Sequence, residues 1–113
     1  MLEEESRNRL LLLFDLYGKL LKEKQRHYFE MYYHEDLSLG EIAELQNVSR
    51  QAVFDQVKRV EKQMEQYEDS LGLLSRHEKR RQLMAELQKE LGHHHSKAHA
   101  LLRELYELEM DID

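Results

Sequence analysis

The chain has no cysteine, no proline and only four glycines among its 113 residues. Without cysteine, disulfides, thiolate catalysis and cysteine-ligated zinc are excluded. Their absence fits a reducing cytoplasm, which is the expected location. Without proline, nothing imposes a sharp break inside a long helix. Long hydrophobic runs are missing as well. The longest, Leu10 to Phe14, is far short of the ~20 apolar residues that span a membrane. It is also too short for the apolar region of a signal peptide. The stretch Met1-Leu2-Glu3-Glu4-Glu5 is acidic where a signal peptide is basic. No membrane insertion is expected. Net positive charge is missing too: 17 lysines and arginines are outnumbered by 23 acids, for a net charge of −6. Strong non-specific nucleic-acid binding is mostly phosphate electrostatics, so any such contact needs a local basic patch on an acidic body.

What the chain does have is charge in helical register. Charged residues make up 35% of it and the mean hydropathy is −0.81. Apolar residues nevertheless recur every three or four positions, which reads as solvated helix faces rather than disorder. No segment alternates with period two, so the fold class is all-α. The first helix is expected over about 4–21, with Leu10, Leu13, Phe14, Tyr17, Leu20 and Leu21 on one buried stripe. Gly18 weakens its end. The second is expected over about 23–34, with Tyr28, Met31 and Tyr32 inside and Phe29 and Tyr33 on the flank.

The third helix starts at a capping box, Ser38-Leu39-Gly40-Glu41, and buries Leu39, Ile42 and Ala43. The fourth starts at Ser49. Its apolar positions Val53, Val57, Val60, Met64, Tyr67, Leu71 and Leu74 form a heptad seam. Gly72 weakens the end of this helix. Ser75 with Glu78 is a second capping box, opening a fifth helix over about 76–91 with Leu83, Met84, Leu87 and Leu91 inside. Gly92 is the expected C-cap. The sixth helix covers about 96–110, with Ala98, Leu101, Leu102, Leu105 and Leu108 inside. The expected architecture is a single domain over 1–113. A helical part over 1–72 contains a helix-turn-helix at 38–60, and a helical hairpin over 75–113 packs on the long fourth helix. Most of the seam is expected to pack on that hairpin. Because it spans more turns than a small monomer covers easily, a homodimer is expected too.

The helix-turn-helix reading rests on four positions. Ala43 is small where the second helix crosses the first, Val48 plugs the turn, Ser49 caps the second helix, and Val53 anchors it. The turn usually carries glycine where this chain has Asn47, which tolerates a left-handed backbone. Gln46 stands where an apolar residue is expected, next to Leu45, as if the two had exchanged. The outer face of the second helix supplies the candidate contacts Ser49, Arg50, Gln51, Phe54, Lys58, Arg59 and Lys62. Arginine and glutamine can bond base edges, and lysine mainly meets phosphate. Between Ser49 and Lys62 four basic residues stand against Asp55 and Glu61, a local positive excess. The plainer reading is that these residues simply solvate the helix.

The segment Tyr32-Tyr33-His34-Glu35-Asp36-Leu37-Ser38-Leu39-Gly40-Glu41-Ile42-Ala43-Glu44, followed by Asn47-Val48-Ser49-Arg50-Gln51-Ala52-Val53-Phe54-Asp55, resembles the YlxM family of small bacterial proteins. Leu13-Phe14-Asp15-Leu16-Tyr17, Leu20-Leu21, Lys24-Gln25, Val57-Lys58-Arg59-Val60-Glu61 and Tyr67-Glu68 match the same pattern. The resemblance is specific over the helix-turn-helix and loose from residue 76 onward. It implies a helix-turn-helix like the promoter-reading fourth region of sigma factors. It also implies a regulatory association with the bacterial signal recognition particle, with that particle's RNA or DNA as ligand and its protein subunits as further partners.

Two other constellations are present. His95 and His99, beside His93 and His94, are four apart and could share a helix face. No carboxylate at ligand spacing completes a metal site, so a solvated loop is expected and no metal or other cofactor. The stretch Arg76-His77-Glu78-Lys79-Arg80-Arg81 reads as a solvated first turn, or as a second nucleic-acid contact. No glycine-rich phosphate loop and no nucleophile with a base is found, so no enzyme is expected. The alternatives to a nucleic-acid-binding regulator of protein targeting are a protein-interaction module and a DNA-binding transcription regulator.

Overall fold

A computed structural model describes residues 3–110. Met1 and Leu2, which open the acidic N-terminal run, lie outside the described residues, as do 111–113. The helices are α1 (Glu4–Tyr17), α2 (Glu23–Phe29), α3 (Leu39–Gln46), α4 (Arg50–Leu71), α5 (Leu73–Leu91) and α6 (Ser96–Met110). A 3-10 turn, Gly18–Leu20, follows α1, and a π-helical segment, Glu30–His34, continues α2. The described residues contain no strand. The chain forms two compact units, Met1–Leu71 and Gly72–Asp113.

In the first unit, α4 packs on α1, α2 and α3. Its seam residues Val53, Val57, Val60 and Met64 are buried there, together with Leu10, Leu13, Tyr17, Tyr28, Phe29 and Ile42. This corrects the expected packing of most of the seam on the C-terminal hairpin, and Val53–Met64 are closed to a second chain. Beyond Met64 the buried position is Glu68, not Tyr67, and Leu71 is exposed. A straight helix drifts away from a strict seven-residue repeat. Glu68, one full turn past Met64, meets the Tyr17 hydroxyl, which donates to it at 2.7 Å. The seam does not reach Leu74 on one helix. Gly72 takes a left-handed backbone, φ 64°, and a new helix begins at Leu73.

Two more expectations change in this unit. Helix α1 gives way to the 3-10 turn at Gly18 instead of running on to Leu21, and Leu20 is 53% exposed. A Cβ at Gly18 would sit 3.3 Å from the Phe14 ring, so glycine leaves room for that ring to stack on Phe29 with centroids 4.3 Å apart. In the second helical stretch, Phe29 and Tyr33 are core residues and Tyr32 is half-buried. The π segment is the cause. The Glu35 N–H donates to the Glu30 carbonyl five residues back, at 2.9 Å. The wider turn carries an extra residue. It brings Tyr33 onto the Phe29 side, ring centroids 4.5 Å apart, and turns Tyr32 toward the flank.

In the second unit α5 and α6 form a hairpin. Ser75 lies inside the first turn of α5 and does not cap it, because Gly72 already starts the helix; the Arg76 N–H donates to the Gly72 carbonyl. Gly92 ends α5 with φ 63° and ψ −152°, a conformation that favours glycine. Of the leucines expected inside, only Leu102 is buried, with Met84, Leu74 and His77. Leu83, Leu87, Leu101, Leu105 and Leu108 are exposed. A two-helix hairpin can cover only one narrow stripe on each helix, so the rest of each apolar face stays bare.

Candidate nucleic-acid interface

Helices α3 and α4 are joined by a turn of three residues, Asn47, Val48 and Ser49. Both helix starts are capped by serine. The Ser38 hydroxyl accepts the Glu41 N–H at 3.1 Å, and the Glu41 carboxylate accepts the Ser38 N–H at 3.0 Å. The Ser38 contacts hold the Glu41 carboxyl below its ordinary value. The Ser49 hydroxyl accepts the Ala52 N–H at 3.0 Å, so this candidate contact residue is committed to starting α4. Asn47 takes the left-handed backbone, φ 56° and ψ 48°.

The interior of the turn differs from expectation in two respects. Ala43 and Val53 are buried, but Val48 is 39% exposed and does not plug the angle. The Val48 N–H instead closes the end of α3 on the Ala43 carbonyl at 3.0 Å. Gln46 fills the inner position, its amide 3.8 Å from the Met31 sulfur, and Leu45 is exposed. The two residues have not exchanged places. A glutamine packs where an apolar residue is usual.

The remaining candidates lie on the exposed side of α4. Gln51, Phe54, Lys58 and Lys62 recur at three- and four-residue intervals and make one stripe, with Arg50 a turn before Phe54. Arg59, also exposed, lies about 100° round the helix from Lys58, outside the stripe. The Lys58 ammonium sits 5.5 Å from the centre of the Phe54 ring, within cation–π range. Gln51 donates to Asp55 at 2.9 Å, so base contact by Gln51 requires it to leave that partner.

Beside the stripe is a shallow concavity of about 200 Å³, lined by Tyr32, Tyr33, Phe54, Val57, Lys58 and Glu61 among others. At its edge the Tyr33 hydroxyl donates to one Glu61 oxygen at 2.6 Å, and Lys58 approaches the other at 3.4 Å. Burial, reinforced by the Glu61 carboxylate, pushes the Tyr33 hydroxyl far above its ordinary pKa, so it remains a donor. Arg7 reaches across from α1 to the Tyr33 carbonyl at 2.8 Å, and Arg9 clasps Glu65 of α4 through two bonds of 2.9 Å. Sequence reasoning missed this network. Apart from Lys58 and Glu61, its partners are 26 to 56 residues apart, and no local periodicity signals such pairs.

The other constellations have structural partners. In the basic cluster, His77 is buried with its ring 2.5 Å from Glu109, whose other oxygen accepts from Arg80 at 2.5 Å. The Arg80 bond is the main reason the Glu109 carboxyl lies below its ordinary value. Two of the six residues thus tie the start of α5 to the end of α6. His99 bonds the Gly92 carbonyl through its ring. Among the described residues no group of three or more histidine, aspartate or glutamate side chains is placed to hold a metal. Among the same residues no helix is long and apolar enough to cross a membrane.

Two capped helices on a three-residue turn, the second displaying a polar and aromatic stripe, define a small all-α helix-turn-helix protein. Residues 4–104 match the UPF0122 family, described as "Putative helix-turn-helix protein, YlxM / p13 like". The chain belongs to this family. It is 46% identical over 108 residues to a UPF0122 protein of Geobacillus kaustophilus, covering 93% of this chain and 98% of that one. It is 54% identical over 84 residues to one from Shouchella clausii, covering 74% and 77%. With one from Listeria welshimeri it shares 49% identity over 87 residues, covering 77% and 79%.

Proposed function

We propose that this chain is a non-enzymatic, nucleic-acid-binding regulator acting in the signal recognition particle pathway, with the particle's RNA as its ligand. The observation that carries the reading is the stripe on α4. Arg50, Gln51, Phe54, Lys58 and Lys62 are all exposed on the second helix of a helix-turn-helix. Lys58 and Lys62 are spaced to meet phosphates, Arg50 and Gln51 can bond base edges, and Phe54 offers a ring for stacking. Arg59, off the stripe, serves as a flanking phosphate contact. A likeness to sigma-factor region 4 would place the same face against duplex DNA, which makes DNA the natural competitor.

A second reading is favoured by charge. Glu61 offsets Lys58 directly, Asp55 adds a negative charge beside the stripe, and the chain carries a net charge of −6. On that reading the concavity beside Phe54 docks a protein, such as a subunit of the particle, and nucleic acid is not bound.

A binding titration separates the two. The purified protein is titrated with signal recognition particle RNA, with random duplex DNA as competitor, beside a variant carrying Arg50→Ala, Lys58→Ala and Arg59→Ala. Binding that resists the competitor and is lost in the variant supports the RNA reading. Binding that the duplex abolishes moves the ligand to DNA. No binding at physiological salt leaves the protein-docking reading.

A further inference from the structure

Of the exposed leucines of the C-terminal unit, Leu83, Leu87, Leu101, Leu105 and Leu108 fall on one face, and Leu73, the first residue of α5, is not part of it. Met84 and Leu102 are the inward positions of α5 and α6. At 100° per residue, Leu83 and Leu87 lie to one side of Met84. By the same count Leu101, Leu105 and Leu108 lie to the same rotational side of Leu102. The contacts of His77 and Arg80 with Glu109 join the start of α5 to the end of α6, so the two helices run antiparallel. In an antiparallel pair the same rotational side gives the same broad face. The other side confirms the assignment, because Ala85, Gln88, His99, Arg103 and Tyr106 line a single open groove there. The leucines share the opposite face. Each is about half exposed or more, from 49% at Leu83 to 73% at Leu108. Together they make an apolar patch on the order of a few hundred Å², the upper range of what a monomer leaves bare.

We propose that a second copy of this chain covers the leucine face, the two hairpins forming a four-helix bundle. Two observations select a copy of the same chain. The first is charge. Arg76 and Lys79 border the stripe at the start of α5, and Glu90 borders it at the end. On α6 the order is Lys97 first, then Glu104. A two-fold axis along the hairpin lays α5 antiparallel on the partner's α6. An axis across the hairpin lays each helix antiparallel on its own counterpart. In both cases basic ends meet acidic ends, so the face complements itself. The second is area. The patch doubled, with its flanking stems, reaches on the order of 1,000 Å², the low end of specific interfaces. This surface is distinct from the α4 seam, whose residues Val53–Met64 are covered within the first unit.

The test is sedimentation of the full chain at micromolar concentration, beside a Leu87→Glu, Leu105→Glu double variant and a Leu45→Glu control. Leu45 is an exposed leucine of the first unit. The wild type and the control should be dimers, and the double variant should associate at least about 100-fold more weakly, because two charges would enter an apolar contact. A monomeric wild type, or a dimer that survives the double substitution, overturns the proposal. Should the double variant lose helix by circular dichroism, single cysteines decide in a chain that has none of its own. Leu105→Cys should cross-link through a short bis-maleimide and Gln88→Cys, on the groove side, should not. Equal cross-linking of both overturns the assignment of the face.

Discussion

Replacing Tyr33 with phenylalanine removes one hydroxyl and little else. The ring stays against Phe29, 4.5 Å away, and under the Arg7 guanidinium at 5.5 Å. What is lost is a 2.6 Å bond to a carboxylate oxygen in a half-buried setting. Hydrogen bonds to charged groups contribute about 1.5–3 kcal/mol. Lys58 still reaches the other Glu61 oxygen at 3.4 Å, so the lower part of that range applies, about 1.5–2 kcal/mol. Glu61→Gln keeps an acceptor for the hydroxyl and should cost less, about 1 kcal/mol. The double variant should then show a coupling of about 1 kcal/mol. Urea denaturation of the four proteins measures it, provided the slope against denaturant stays constant so that shifts in midpoint report stability. Additivity within about 0.3 kcal/mol would refute the reasoning, because it would mean that Tyr33 and Glu61 do not hold the π segment onto α4.

Other expectations follow from the caps and the turn. Ser38→Ala removes the cap of α3 and should destabilise the protein by about 1 kcal/mol in the same urea assay. The Glu41 carboxyl is held low by its bonds to Ser38, and Glu109 by Arg80, so their contributions are present above the ordinary carboxylate value and lost as pH falls through the lowered folded values. Acid titration followed by helix content should show this loss, and Glu41→Gln should flatten the part belonging to α3. Asn47→Gly should be tolerated or slightly stabilising, whereas Asn47→Val, β-branched at φ 56°, should cost about 1–2 kcal/mol. Equal thermal midpoints for the two variants would contradict the left-handed turn.

Local signals were the most legible. The Ser38 capping box, Ser49 as cap, the left-handed Asn47, the buried Ala43 and Val53 and the Gly92 stop can all be read from neighbouring residues, and each has the expected geometry. Signals that depend on the partner surface were not. The π segment depends on Phe29 and Tyr33 both finding the core, and a 3.6-residue period assigned Tyr32 there instead. Glu68 reads as surface until Tyr17, 51 residues away, supplies a donor. The hairpin leucines have helical spacing, but spacing alone does not say whether a second layer is present to cover them. In the candidate interface, exposure of Arg50, Phe54, Lys58, Arg59 and Lys62 followed from the period of α4. The pairing of Lys58 with Glu61 reduces the free positive charge that a residue count suggests, and the bond from Gln51 to Asp55 occupies an amide that base contact would need.

The salt dependence of RNA affinity tests the central claim most directly. Affinity for signal recognition particle RNA is measured across a series of salt concentrations for the wild type and for a Lys58→Ala, Lys62→Ala variant. If the α4 stripe meets phosphates, log affinity falls linearly with log salt, and the variant's slope is shallower by about 1–2. Identical slopes in the two proteins, or no salt-dependent binding at all, would contradict the account.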